Sequence, residues 1–122
     1  MKILIADDEP MIRELLRATL SRDPRFEVTL VPDGQAAIEG AREHQPDFVI
    51  LDVRMPNVDG LEACRTIRDE LGEGVRIVML TALGQDADVA RGRAAGADDY
   101  FIKPFSPNQL LGRVYEVAGL AA

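Results

Sequence analysis

Residues 48–60 read Phe48-Val49-Ile50-Leu51-Asp52-Val53-Arg54-Met55-Pro56-Asn57-Val58-Asp59-Gly60, and their reading decides the fold. Phe48-Val49-Ile50-Leu51 is a continuous apolar run, too short for a buried helix and rich in branched residues, as expected of a strand covered on both faces. Asp52 ends the run with a charge. Asp59 and Glu62 then form a capping-box pattern ahead of Leu61, Cys64, Ile67 and Leu71, which predicts a helix with one apolar side.

The same unit recurs on either side. Ile3-Leu4-Ile5-Ala6, Ile77-Val78-Met79-Leu80 and Tyr100-Phe101-Ile102 are further short apolar runs that read as strands buried on both faces. Phe26, Val28 and Leu30 alternate with Glu27 and Thr29, the half-polar pattern of an edge strand. Between the strands lie helical spacings. Ile12, Leu15, Leu16 and Leu20 form a stripe after Pro10, which suits a first helical turn. Asp33 can cap a helix bearing Ala37, Ile38 and Ala41, and Ser106 and Pro107 open one bearing Leu110, Val114 and Val117. The helical segment near residues 86–95 is the weakest, because Gly92 lies inside it and Val89 is its only large apolar residue. Regular β-α alternation predicts an α/β fold: a doubly wound, five-stranded parallel sheet of flavodoxin-like (βα)5 type with right-handed crossovers. The expected strand order is 2-1-3-4-5.

With 122 residues the chain fits one domain, residues 1–122, able to bury roughly two-thirds of its unfolded surface. A net charge of −7 with 14 scattered basic residues argues against direct nucleic-acid binding and against an anionic membrane surface. One cysteine, Cys64, allows no internal disulfide, and one histidine, His44, cannot build a His-rich metal site. Cys64 reads as a small core residue and His44 as a surface or capping residue. The N-terminus carries no h-region and no apolar stretch is long enough to span a bilayer, so a cytoplasmic location is expected.

Doubly wound sheets bind ligands beyond the carboxyl ends of their strands, where strand order reverses. Asp7-Asp8 follow strand one, Asp52 ends strand three, Thr81 strand four and Lys103 strand five. Strands one and three are neighbours in the expected order, which crowds Asp7, Asp8 and Asp52 together. Three carboxylates repel unless protons or a cation intervene. Oxygen-only donors select a hard ion, Mg²⁺ with Mn²⁺ as the alternative, and Mg²⁺ keeps waters that phosphate oxygens can replace. Lys103 as a point charge and Thr81 as a hydroxyl donor complete a site suited to phosphoryl transfer. Asp52, the lone acid at its strand end, is the expected nucleophile.

Lys2-Ile3-Leu4-Ile5-Ala6-Asp7-Asp8-Glu9-Pro10, Asp52-Val53-Arg54-Met55-Pro56-Asn57-Val58-Asp59-Gly60, Thr81-Ala82 and Gly96-Ala97-Asp98-Asp99-Tyr100-Phe101-Ile102-Lys103-Pro104-Phe105 occur in order along the chain. In this the whole chain resembles the receiver domain of two-component response regulators, of the chemotaxis-regulator type. The resemblance implies phosphorylation at Asp52 and a metal held by Asp8, Asp52 and the backbone carbonyl of Arg54, with Asp7 acting through water. It also implies Thr81 and Lys103 on the phosphoryl oxygens, and a cis Lys103–Pro104 bond. Thr81 and Tyr100 would be switch residues that alter the face of helix four, strand five and helix five. Arg54 and Leu83 would border the site entrance and tune hydrolysis. The implied partners are a sensor histidine kinase or histidine phosphotransfer protein and a downstream effector domain or protein, with a phosphorylation-dependent dimer compatible with both. Such a domain catalyses only its own phosphorylation and dephosphorylation.

Taken singly, these residues have plainer readings: Asp7-Asp8 a helix cap, Asp52 a turn, Thr81 a strand end, Lys103 a solvated charge, Tyr100 packing. Those readings require several coincidences on one sheet edge. Among rivals, a haloacid-dehalogenase-type phosphatase would need an acid/base Asp where Arg54 stands. A flavodoxin-like carrier would need phosphate donors where the first loop is acidic. A receiver-like interaction module that takes no phosphate is the third reading.

Overall fold

The computed structural model describes residues 1–82 and 86–121. Five strands, β1 (Lys2–Ala6), β2 (Glu27–Val31), β3 (Phe48–Asp52), β4 (Arg76–Ala82) and β5 (Asp99–Lys103), alternate with five helices. These are α1 (Pro10–Leu20), α2 (Gly34–His44), α3 (Gly60–Leu71), α4 (Asp86–Ala94) and α5 (Pro107–Ala118). The sheet is parallel throughout, in the order β2-β1-β3-β4-β5. This is the doubly wound flavodoxin-like arrangement expected from the alternation. Leu83 lies outside the described residues.

Strand periodicity divides the core in two. Leu4, Val49, Leu51, Ile77 and Met79 face α2 and α3, with Ala37, Ala41, Ala63, Cys64 and Ile67. Ile3, Ile5, Phe48, Ile50, Val78 and Leu80 face α1 and α5, with Leu16, Leu20, Leu110 and Val114. Successive side chains of one strand serve opposite layers, so strands buried on both faces must be apolar without alternation. Cys64 is buried, its thiol pushed up to about 11 by burial. It is the small core residue its position suggests.

Several local expectations need correction. Leu15 is 39% exposed and Met11 85%; Thr19 takes the buried place instead, satisfying its hydroxyl on the Leu15 carbonyl at 2.7 Å. β5 is not covered on both faces. It is an edge strand, and Ile102 is 39% exposed. Asp33 and Asp59 cap α2 and α3 through the Ala36 and Glu62 amides, whereas Ser106 and Glu9 occupy N-cap positions without a side-chain cap bond. There Pro107 and Pro10 supply the helical start. Among the described residues no helix is long and apolar enough to cross a membrane. The Lys103–Pro104 bond is cis.

Candidate functional site

Register sets the site. Ala6 lies beside Leu51 and Asp52 beside Leu80, while Ala82 lies beside Lys103. The residues at or just beyond these strand ends therefore emerge at one level of the sheet edge. Asp7 is fully buried; its Oδ1 accepts from the Glu9 amide at 2.9 Å, and its carbonyl accepts from Arg13 at 2.7 Å. The turn into α1 thus fixes the carboxylate. Lys103 Nζ donates to Asp7 Oδ2 at 3.0 Å and to Asp52 Oδ2 at 3.1 Å, and stands 3.5 Å from Glu9 Oε1. Carboxylate oxygens of Asp7, Asp8, Glu9 and Asp52 all come within 4.8 Å of one another.

The sequence-level candidates Asp7, Asp8, Asp52 and Lys103 therefore meet. Glu9 joins them, and its only signal in the sequence is its place directly after the acidic pair. Glu9 adds a fourth negative charge, leaving the cluster more acidic than the three-carboxylate count suggests.

Electrostatics follow from that crowding. Burial, then the Asp7 charge, hold the Asp52 carboxyl up at about 6, against the opposing pull of Lys103. Burial alone would depress the Lys103 ammonium, but its bond to Asp7 and the charges of Asp52 and Asp7 raise it. Four carboxylates on one ammonium are under-neutralised, and an all-oxygen donor set of this size fits a hard divalent cation such as Mg²⁺. Thr81 is 2% exposed, and its Oγ1 has no hydrogen-bond partner among the described residues. A buried hydroxyl left without a partner costs about 1–3 kcal/mol, so a ligand oxygen reaching this place would find a donor.

Arg54 sits two residues beyond Asp52, its amide 3.4 Å from Asp52 Oδ1. Its guanidinium reaches Asp88 in the first turn of α4, at 3.1 Å. Asp88 is 2% exposed and also holds Arg91 at 2.6 Å. The sequence carries no signal for this burial, because an acid in a helix's first turn has the pattern of an exposed dipole partner. An open cleft of about 530 Å³, bordered by Asp8, Arg54, Met55, Asp59, Asp88 and Arg91, lies at this mouth. Tyr100 is half-buried, with the Arg93 guanidinium 5.0 Å from its ring centre.

Comparison with known proteins agrees with this geometry. The family model for the response regulator receiver domain matches residues 3–115. The DNA-binding response regulator MtrA of Mycolicibacterium smegmatis is 42% identical over 113 residues, covering 93% of this chain and 48% of that protein. The chain spans about half the length of the curated relatives it matches. Among solved structures, a BeF3-activated DrrB receiver domain superposes with a TM-score of 0.87 at 33% identity, covering 97% of each chain. The Vibrio cholerae chemotaxis protein CheY4 superposes at 0.86 with 33% identity, covering 95% of this chain and 97% of that one.

Proposed function

This chain belongs to the response regulator receiver domain family of two-component signalling, and on that premise we propose that Asp52 is its phosphoacceptor. The observation that carries the reading is the meeting of Asp52, Asp7 and Lys103 within 3.1 Å contacts beside a buried Thr81 hydroxyl that has no partner among the described residues. A carboxylate oxygen of Asp52 attacks the phosphorus of a phosphohistidine, the P–N bond breaks, and the imidazole leaves with the electron pair. Lys103 neutralises one phosphoryl oxygen and Thr81 donates its hydroxyl to another. Asp8, Asp52 and the Arg54 carbonyl would hold Mg²⁺, or Mn²⁺, with Asp7 acting through water; the bound ion would supply charge neutralisation for the transferring group.

Modification draws Thr81 toward the phosphoryl group and lets Tyr100 turn inward, changing the face of α4, β5 and α5. The donor is a sensor histidine kinase or histidine phosphotransfer protein, and the output an effector domain or protein. Residues 1–122 act as one domain in the cytoplasm that turns over no separate substrate. The competing readings, an aspartyl-phosphate phosphatase and a phosphorylation-independent module, lack a supporting feature: Arg54 replaces the acid/base, and the acceptor set is complete.

Intact mass after incubation with acetyl phosphate tests the reading. The expected result is a Mg²⁺-dependent gain of one phosphoryl group, lost in Asp52→Asn. No gain from acetyl phosphate or from a phosphohistidine donor would leave the interaction module.

A further inference from the structure

α4 is poorly anchored for a helix against a sheet. Asp88 and Gly92 are its buried residues, and Gly92 is there because a Cβ would press Met79 Cγ at 3.3 Å. What ties its first turn is a buried carboxylate. Asp88 accepts from Arg54 Nε at 3.2 Å and from a terminal Arg54 nitrogen at 3.3 Å, and from Arg91 at 2.6 Å. It also borders a seam shared with Val53, Thr81, Val89 and Tyr100, too narrow to admit water.

Arg54 therefore belongs to two places at once. Its backbone is in the acceptor loop, with its amide 3.4 Å from Asp52 Oδ1, while its side chain holds α4. We propose that this guanidinium is an exchangeable tie: Asp88 holds it before modification, and the phosphoryl group on Asp52 captures it afterwards, loosening the first turn of α4. The inference rests on Asp52 being the acceptor.

Three features favour exchange over a permanent bridge. A phosphoryl group of about −2 with three acceptor oxygens outcompetes a single carboxylate for a guanidinium. The Arg54 side chain is 66% exposed at the mouth of the cleft, so its guanidinium is open to a charge that arrives there. Asp88 is not orphaned when Arg54 leaves, because Arg91 remains on it at 2.6 Å; stripping a buried carboxylate of its last cation would be strongly opposed. Two arginines on one acid make the transfer affordable for α4.

The test reads hydrogen exchange of α4 amides with and without acetyl phosphate and Mg²⁺, with intact mass taken on the same samples. In the wild type, phosphorylation should speed exchange in residues 86–94 at least about fivefold, the size of a modest coupling. Arg54→Gln should exchange fast already when unmodified, with the phosphorylation effect falling below about twofold. Arg91→Gln should damp the wild-type response, since Asp88 then keeps its remaining cation. A bridge that merely braces the fold would raise exchange in both states of Arg54→Gln and preserve their ratio; that result overturns the proposal. So does full mass gain in the wild type with unchanged α4 exchange. Absence of mass gain in the wild type is a separate outcome, which overturns the acceptor assignment beneath it.

Discussion

Gly60→Ala is expected to lose about 3–5 kcal/mol of stability, a fall in Tm of roughly 10–20 °C, because the new methyl has no place to go. A Cβ on Gly60 would stand 2.0 Å from the Asp52 carbonyl oxygen and 2.9 Å from Val53 Cα. Both neighbours are backbone and cannot rotate away. The Gly60 amide also donates to the Val53 carbonyl at 2.9 Å, and the Val53 amide to the Leu80 carbonyl at 2.9 Å, so a shift of α3 would drag the end of β3 with it. Gly34 presses the same loop from α2, where a Cβ would lie 1.9 Å from the Val58 carbonyl oxygen. Any Gly60→Ala protein that still folds should have displaced Asp52 and should take up the phosphoryl group poorly. Gly112→Ala is the control of opposite sign: among the described residues nothing beyond its own helix backbone lies within 4 Å of a Cβ there, and a glycine within α5 replaced by alanine should gain about 0.5–1 kcal/mol. Thermal unfolding of the two variants checks both, and a Gly60→Ala protein melting with the wild type would mean that the loop does not sit on Gly60.

How far the sequence could be read follows from what each feature depends on. Strands buried on both faces must be apolar throughout, so β1, β3 and β4 announce themselves, and the charges that end them mark one sheet edge. Burial of β5 is another matter: Tyr100-Phe101-Ile102 is as apolar as an inner strand, and only its place at the end of the order, after β4, leaves Ile102 half in water. Leu15 fails for a related reason, since a 3.6-residue stripe gives the direction of a helix face and not the width that the sheet covers. At the site, Asp7, Asp8, Asp52 and Lys103 were legible because topology alone brings strand ends together. The Glu9 contribution and the Asp88 tie depend on side-chain reach across 3.5 Å and 3.1 Å contacts, which no spacing rule encodes. That the Thr81 hydroxyl finds no partner among the described residues is likewise a property of what surrounds it in three dimensions.

The Asp52 carboxyl gives the second large effect, with a sign opposite to that of most acids. In the metal-free protein burial and the Asp7 charge hold its pKa at about 6, above the ordinary value of 3.8. The folded state therefore binds this proton more tightly than the unfolded chain. Between about pH 4 and 6 the folded state carries more of the proton, so the contribution of Asp52 to stability falls as pH rises through that window. Asp52→Asn keeps the shape and removes the charge. Urea unfolding in EDTA should find the two proteins differing little with pH below about 4, and the variant gaining on the wild type up to about pH 6, by about 2 kcal/mol at most. The ceiling lies below the full shift because the crevice is partly wet and Lys103 remains paired with Asp7 at 3.0 Å. Adding Mg²⁺ at pH 7 should reverse the order, since a cation that binds only the folded state stabilises the chain that can still offer it the Asp52 carboxylate. A wild-type-to-variant difference that stayed flat from pH 4 to 7 in EDTA would mean that Asp52 titrates like a solvated acid, and the crowded, desolvated carboxyl described above would have to be abandoned.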